Sequence, residues 1–148
     1  MGTTLIENRK ARHDYEVLET IECGIVLMGT ELKPLRAGKS NLQDAYAKIK
    51  RGEFYLMQAY ISKYENEKHF SHDESRERKL LVHNYELKKI EKKLNEKQLT
   101  AIPLRLYLND QGRVKVLIGL CRGKKSYDKR ESLKKRDQER DIKRAMKE

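Results

Sequence analysis

The sequence predicts a mainly β protein with accessory helices, a small closed antiparallel barrel that ends in a basic tail. Three observations predict it. Between residues 15 and 120, several short runs alternate apolar and polar residues, each with one apolar face. Two stretches, near residues 31–37 and 85–96, switch to helical spacing. The last twenty residues, Lys129 to Glu148, hold nine basic and five acidic side chains and neither Gly nor Pro. Short strands that each show one apolar face suit a small closed barrel, because closure leaves no strand edge open to water.

Taken in order, residues 1–14 are polar and expected to be irregular. Two strands are expected next, Tyr15–Thr20 and Gly24–Met28, with Cys23-Gly24 at the break. A short helix over Glu31–Ala37 follows. Thr30 is its expected N-cap, Pro34 stands early, where its missing N–H is tolerated, and Gly38 is a good stop. Ala45–Lys50 and Phe54–Met57 alternate about the turn Arg51-Gly52, which reads as a hairpin. Residues 63–78 are rich in Lys, Glu, His, Ser and Arg and are expected to form a long loop. Lys79–Val82 leads into a second helix over Tyr85–Glu96, capped by His83 or Asn84, with Leu87, Ile90 and Leu94 on one face. Leu104, Leu106 and Leu108 then share a strand face. Asn109-Asp110-Gln111-Gly112 turns the chain, and Val114, Val116, Ile118 and Leu120 alternate without a break. The expected inventory is five or six short strands.

Net charge is +11, from 34 basic and 23 acidic side chains. Residues 122–148 supply twelve of the basic and six of the acidic groups, so more than half of the excess lies in less than a fifth of the chain. Such a balance suits a nucleic acid, an anionic membrane surface or an acidic protein as partner. No apolar run approaches the roughly 18 residues that span a bilayer, and the first fifteen residues lack the apolar segment of a signal peptide. A cytoplasmic setting is expected. Cys23 and Cys121 stand inside apolar runs, where reduced buried thiols fit better than a disulfide.

The tail has no face to bury. On a helix Leu133 and Ile142 fall about 180° apart, at roughly 100° per residue, while Arg136, Arg140 and Arg144 line up and repel one another. Glu131 with Lys135 and Glu139 with Lys143 partly offset that repulsion. The pattern predicts a segment that is disordered when free and becomes helical against a polyanion, RNA being the obvious one. Its entry, Arg122-Gly123-Lys124-Lys125-Ser126-Tyr127-Asp128-Lys129-Arg130, places one aromatic among cations, which favours RNA over a plain charged linker. Arg9-Lys10-Ala11-Arg12-His13 reads either as a solvated arm or as phosphate contacts beside a base-stacking imidazole.

Other motifs carry less. Gly38-Lys39-Ser40 ends like a phosphate-binding loop, yet the glycine that loop needs is replaced by Lys33. His69, His72 and Asp73 are expected to be a solvated loop rather than a metal site. No catalytic set is found, so an enzyme, a cofactor and a metal are not expected.

Several long motifs resemble one family. Asn8-Arg9-Lys10-Ala11-Arg12-His13-Asp14-Tyr15, Gly29-Thr30-Glu31-Leu32-Lys33-Pro34-Leu35-Arg36-Ala37-Gly38, Arg78-Lys79-Leu80-Leu81, Val114-Lys115-Val116 and Gly123-Lys124-Lys125 with Tyr127-Asp128-Lys129-Arg130 are similar, in this order, to the small protein B (SmpB) family, the SsrA/tmRNA-binding proteins of bacteria. The resemblance implies an OB-type (oligonucleotide-binding) antiparallel β-barrel over residues 15–122, a basic N-terminal arm over 1–14 and a basic tail over 123–148. It implies a protein that binds the tRNA-like domain of tmRNA and delivers alanyl-tmRNA to stalled ribosomes, for ribosome rescue and peptide tagging in trans-translation. The implied partners are tmRNA, the decoding centre and mRNA channel of the small ribosomal subunit, and elongation factor Tu indirectly. By motif, Asn8, Arg9, Arg12, Glu22, Gly24, Leu81 and Lys115 would support tmRNA binding. His13 and Tyr127 would face the decoding centre. Gly123, Lys124, Lys125, Asp128, Lys129 and Arg130 would form the tail entry, with Arg136, Arg140, Arg144 and Met146 farther along a tail that probes the empty channel. The chain departs from the family where Lys63 and Glu74 replace common prolines, and at Pro34, Cys121 and Ala145-Met146. Two other classes stand beside this one: a general RNA-binding protein without tmRNA preference, and an enzyme acting on RNA.

Overall fold

In the computed structural model, which describes residues 3–63 and 72–123, six strands close into an antiparallel ring. They are β2 (Tyr15–Ile25), β4 (Tyr46–Lys50), β5 (Glu53–Met57), β7 (Arg78–Leu81), β8 (Thr100–Leu108) and β9 (Val114–Gly123). Around the ring the order is β8-β4-β5-β7-β2-β9, and β9 returns to β8. On β8, β1 (Thr3–Glu7) pairs with Arg105–Leu108, while β4 meets the strand at Ala101. Two short strands, β3 (Ser40–Asn41) and β6 (Tyr60–Ile61), form a separate ribbon. Three helices accompany the ring: α1 (Arg9–Asp14), α2 (Gly29–Arg36) and α3 (Asn84–Glu96). This is the mainly β, barrel-and-helix class that the sequence predicts; the tail beyond Gly123 lies outside the described residues.

Local chemistry explains the elements that were expected. Arg51 and Gly52 both adopt positive φ, at 54° and 74°, which gives a two-residue hairpin the twist its strands need. Gly38, at φ 75°, follows α2 where a side chain would be strained. His83 caps α3, whose apolar stripe buries Ile90. Val116, Ile118 and Leu120 point into the barrel core beside Phe54, Leu56 and Leu106.

Several expectations are corrected. The N-terminal residues are not irregular. Thr3–Glu7 complete an edge of β8, and Asn8 caps α1 by accepting from the Ala11 N–H at 3.1 Å. The two strands expected over residues 15–28 are one strand of eleven residues, paired in register with β9 through the proposed break at Cys23-Gly24. Strands of eleven, nine and ten residues in β2, β8 and β9 are not short. Finally, the leucines of β8 do not share a face. A bulge between Pro103 and Arg105 moves Leu104 into a second apolar cluster with Ala11, Ile102 and Cys121, while Leu106 stays in the main core. A matching bulge between Val17 and Glu19 leaves Leu18 exposed on β2.

Helix α2 begins at Gly29, not Glu31, so Pro34 lies inside it and is buried. Thr30 is not its cap; its hydroxyl meets His72 Nδ1 at 2.9 Å. His72 is therefore buried, with Nε2 2.8 Å from the Ile61 carbonyl, and is no part of a solvated loop. His69 lies outside the described residues.

Candidate nucleic-acid interface

One cross-strand row organises the outer surface of the barrel. Leu81 of β7 stands opposite Gly24 of β2, Gly24 opposite Lys115 of β9, and Lys115 opposite Tyr107 of β8. Facing positions across a sheet share a face, and the interior face here belongs to Cys23, Val116 and Leu106. The row is thus on the outside. Glu22, two residues from Gly24, projects on the same side and accepts a hydrogen bond from the Tyr107 hydroxyl. Arg105 stacks over the Tyr107 ring, its guanidinium carbon 4.8 Å from the centroid.

Gly24 explains how close the row can be. A Cβ there would lie 3.3 Å from Leu81 Cβ and 3.4 Å from its Cδ1. The absent side chain lets Leu81 lean across β2, where it remains half exposed. Between this row and α3 runs a cleft of about 680 Å³. Glu22, Gly24, Leu81 and Lys115 all line it, with His83, Tyr85, Glu86, Lys89 and Lys93 on the α3 side. Lys93 Nζ reaches Glu19 Oε1 at 2.5 Å across its edge.

The remaining described candidates sit at the other end of β2. Arg9 and Arg12 are exposed on α1, and His13 at its end has an 84% exposed side chain, with Nδ1 3.0 Å from Asp14 Oδ1. Tyr15 is paired with Gly123, so the end of α1 and the exit of β9 are adjacent. From Tyr15 to Gly24 the strand rises about 30 Å at roughly 3.3 Å per residue. Asn8 is different from its neighbours: it is buried, and its amide donates to the carbonyls of Leu42 at 3.1 Å and Pro103 at 2.9 Å. It positions α1 and has no free amide hydrogen for RNA. Lys124, Lys125, Tyr127, Asp128, Lys129, Arg130, Arg136, Arg140, Arg144 and Met146 lie outside the described residues.

Sequence reasoning missed the support behind this surface. Glu31 and Arg78 are both fully buried, and Arg78 Nη2 lies 2.7 Å from Glu31 Oε2. Arg76 closes the knot with Nη2 2.8 Å from Oε1, and the Met28 N–H donates to Oε1 at 2.7 Å. Burial pushes the Glu31 carboxyl up, but the two arginines and the Met28 N–H outweigh it and hold the group below the usual carboxylate range. Burial pulls Arg78 down against the pull of Glu31; it stays charged, as arginines do. The knot ties α2 to the start of β7, three residues before Leu81. His83, Tyr85 and Lys89 were also missed as cleft residues, and Tyr107 as the partner of Glu22. The only sequence signal was that Leu81, His83 and Tyr85 alternate, apolar and aromatic, into a helix start.

Both cysteines are free and buried. Burial pushes Cys23 up to about 12 and Cys121 up to about 11, so neither thiol is a nucleophile at neutral pH. Among the described residues no group of His, Cys, Asp and Glu is arranged to hold a metal, and no helix is long and apolar enough to cross a membrane.

Comparison with known proteins agrees with this geometry. The family model described as SmpB protein matches residues 5–148. An SsrA-binding protein of Desulforamulus reducens is 51% identical over 145 residues, covering 98% of this chain and 90% of the relative. One from Thermosynechococcus vestitus is 54% identical over 144 residues, covering 97% and 94%. A chain from a solved structure described as "tmRNA-SmpB: a journey to the center of the bacterial ribosome" is 51% identical, covers 88% of this chain and 91% of its own length, and superposes with a TM-score of 0.71. With a family model spanning nearly the whole chain and relatives at half identity end to end, this chain belongs to the SmpB family.

Proposed function

We propose that this chain binds the tRNA-like domain of tmRNA and brings alanyl-tmRNA to stalled ribosomes in the bacterial cytoplasm, acting as an RNA-binding factor and not as an enzyme. The observation that carries the reading is the row Leu81–Gly24–Lys115–Tyr107 with Glu22 beside it. It sets one cation, one carboxylate and one apolar side chain on a rigid sheet. That combination reads an RNA loop by shape, because the ammonium pairs with phosphate, the carboxylate accepts from base amino groups, and the apolar surface takes an unstacked base.

The ends of β2 separate two jobs. The cleft at the Gly24 end engages tmRNA. At the opposite end His13 and the exit at Gly123 face the decoding centre, and residues 124–148 enter the mRNA channel where it is empty. A channel filled with message excludes them sterically, so only vacant ribosomes are engaged. Elongation factor Tu is met indirectly, through alanyl-tmRNA.

Two variants test this division. Lys115→Ala is expected to weaken binding of a tRNA-like-domain transcript and to reduce the slope of log K against log salt by roughly 0.7–0.9, the loss of about one phosphate contact. Removal of residues 131–148 is expected to leave that affinity largely intact and to abolish peptide tagging in a reconstituted translation system. Equal loss of both activities on truncation overturns the division. Ready displacement of the transcript by bulk tRNA would favour a general RNA binder instead.

A further inference from the structure

The cleft carries a feature that neither the row on the sheet nor the ionic contacts explain. His83 and Tyr85 stack with ring centroids 5.6 Å apart and planes 13° from parallel. Both residues are exposed, and Tyr85 at 61% is the most exposed large apolar side chain among the described residues. The stack buries little, so it contributes little to folding. Leu81, half exposed, stands two residues before His83, and all three line the same cleft. Lys89 Nζ lies 5.9 Å from the Tyr85 centroid, near the outer limit of a cation–π contact. It does not clamp the ring, and its ammonium is within a short swing of whatever the ring holds.

Resting on the function proposed above, we propose that His83 and Tyr85 form a stacking platform for one unpaired nucleobase of the bound RNA. The base extends the two-ring stack over the cleft, Leu81 packs against its edge, and Lys89 pairs with the phosphate of the same nucleotide. The occupant follows from the chemistry. Offset parallel aromatic rings offer flat faces to another flat ring. The flanking ammonium asks for an anion beside that ring, and a nucleotide carries both. The platform is also continuous with the Lys115–Glu22 surface, so one RNA loop reaches both. The ring stack itself is uncharged and adds affinity without salt dependence; the Lys89–phosphate pair supplies what salt dependence the site has.

The chain contains no tryptophan, so Tyr85→Trp introduces a single indole reporter while keeping a stacking ring. Titration with a tRNA-like-domain transcript is expected to quench its emission. Tyr85→Ala is expected to bind the same transcript roughly ten-fold or more weaker, from the usual value of one base–aromatic stack. Its salt slope should match that of the parent, and its melting temperature should barely move, because the ring is exposed. Tyr85→Phe, which keeps the ring, is expected to bind like the parent. Parent-like affinity of Tyr85→Ala, or an indole whose emission does not change at saturation while Lys115→Ala still weakens binding, overturns the platform and leaves the tmRNA reading intact. If the parent itself fails to bind the transcript in preference to bulk tRNA, the wider reading falls and the platform with it.

Discussion

Replacing Arg78 by Met keeps the length and much of the volume of the side chain and removes its charge from a site with no solvent. The loss can be counted from the structure. Glu31 Oε2 loses Arg78 Nε at 2.9 Å and Nη2 at 2.7 Å, and the carbonyls of Ala59, Arg76 and Glu74 lose donors at 2.7, 3.2 and 3.3 Å. Arg76 and the Met28 N–H stay with Glu31, so the carboxylate is not abandoned. Breaking one partner of a buried ion pair costs about 3–5 kcal/mol, and the surviving partners place this case near the lower end, at about 3 kcal/mol. With a urea slope of about 2 kcal/mol per molar, the unfolding midpoint should fall by roughly 1.5 M. Circular dichroism during urea titration at pH 7 reads this directly. A fall smaller than about 0.5 M, or under ~1 kcal/mol on the same slope, would falsify the claim that the knot is a major support of the barrel.

The same knot sets a pH dependence whose sign can be worked out. The folded carboxyl of Glu31 titrates below its ordinary value of 4.5. Its contribution is therefore fully present above pH 4.5 and is lost as pH falls through the lower, folded value. Glu31→Gln mimics the protonated state. The stability gap between parent and Glu31→Gln should be widest at neutral pH and should narrow in acid. A gap that stays constant from neutral to strongly acidic pH would show that the charge of Glu31 is not what stabilises the fold.

Other perturbations are expected to separate structure from binding. Gly24→Ala sets a methyl 3.3 Å from Leu81 Cβ; stability should change by less than about 1.5 kcal/mol, while transcript affinity falls as Leu81 is displaced, which a binding titration beside a melt will show. Asn8→Ala removes the cap of α1 and the donor to Leu42 and Pro103. It should lower stability by about 2–3 kcal/mol in urea, a cap of about 1 plus unmet buried carbonyls, and an RNA defect in a refolded sample at saturating stability would contradict a purely structural role. Because burial raises both thiols, to about 12 and about 11, Cys23 and Cys121 should resist iodoacetamide at pH 8 in the folded protein and react together on unfolding, as mass spectrometry can follow.

How much of this was legible depended on how local the cause was. The hairpin at Arg51-Gly52 and the alternation of Val114 to Leu120 are written in adjacent residues, and the structure agrees with them. The bulges at Leu18 and Leu104 are not, because one extra residue reverses the inward face and nothing nearby in the chain announces it. In sequence Glu31 is only the first residue of the expected helix over Glu31–Ala37; its partners Arg76 and Arg78 stand 45 and 47 residues away. His72 read as solvent-facing for the same reason, since Thr30 lies 42 residues before it. At the candidate interface, Glu22, Gly24, Leu81 and Lys115 were picked by resemblance alone. Their convergence is a property of register, visible only once three strands are aligned. Tyr85 escaped notice because exposure cannot be read from a helix start that suits a buried or a solvent-facing aromatic equally well.

The distribution of charge then has a physical meaning. The cleft is lined by Glu19, Glu22 and Glu86 against Lys89, Lys93 and Lys115, a balance that gives no strong general attraction for RNA. A groove meant to hold any polyanion would not carry three carboxylates. Such a surface discriminates by position: an RNA must bring a phosphate to Lys115, a donor to Glu22 and a flat ring to the α3 wall together, or leave charges unmatched. The excess cations lie elsewhere, twelve of the 34 after residue 121. Counterion release makes binding through such a segment strong and salt-sensitive but nearly blind to sequence. Discrimination and attraction are thus assigned to different parts of the sequence. Under the function proposed above, a protein that chooses one RNA and then enters a channel made of another gains from that division, since a single surface good at the second task would be poor at the first.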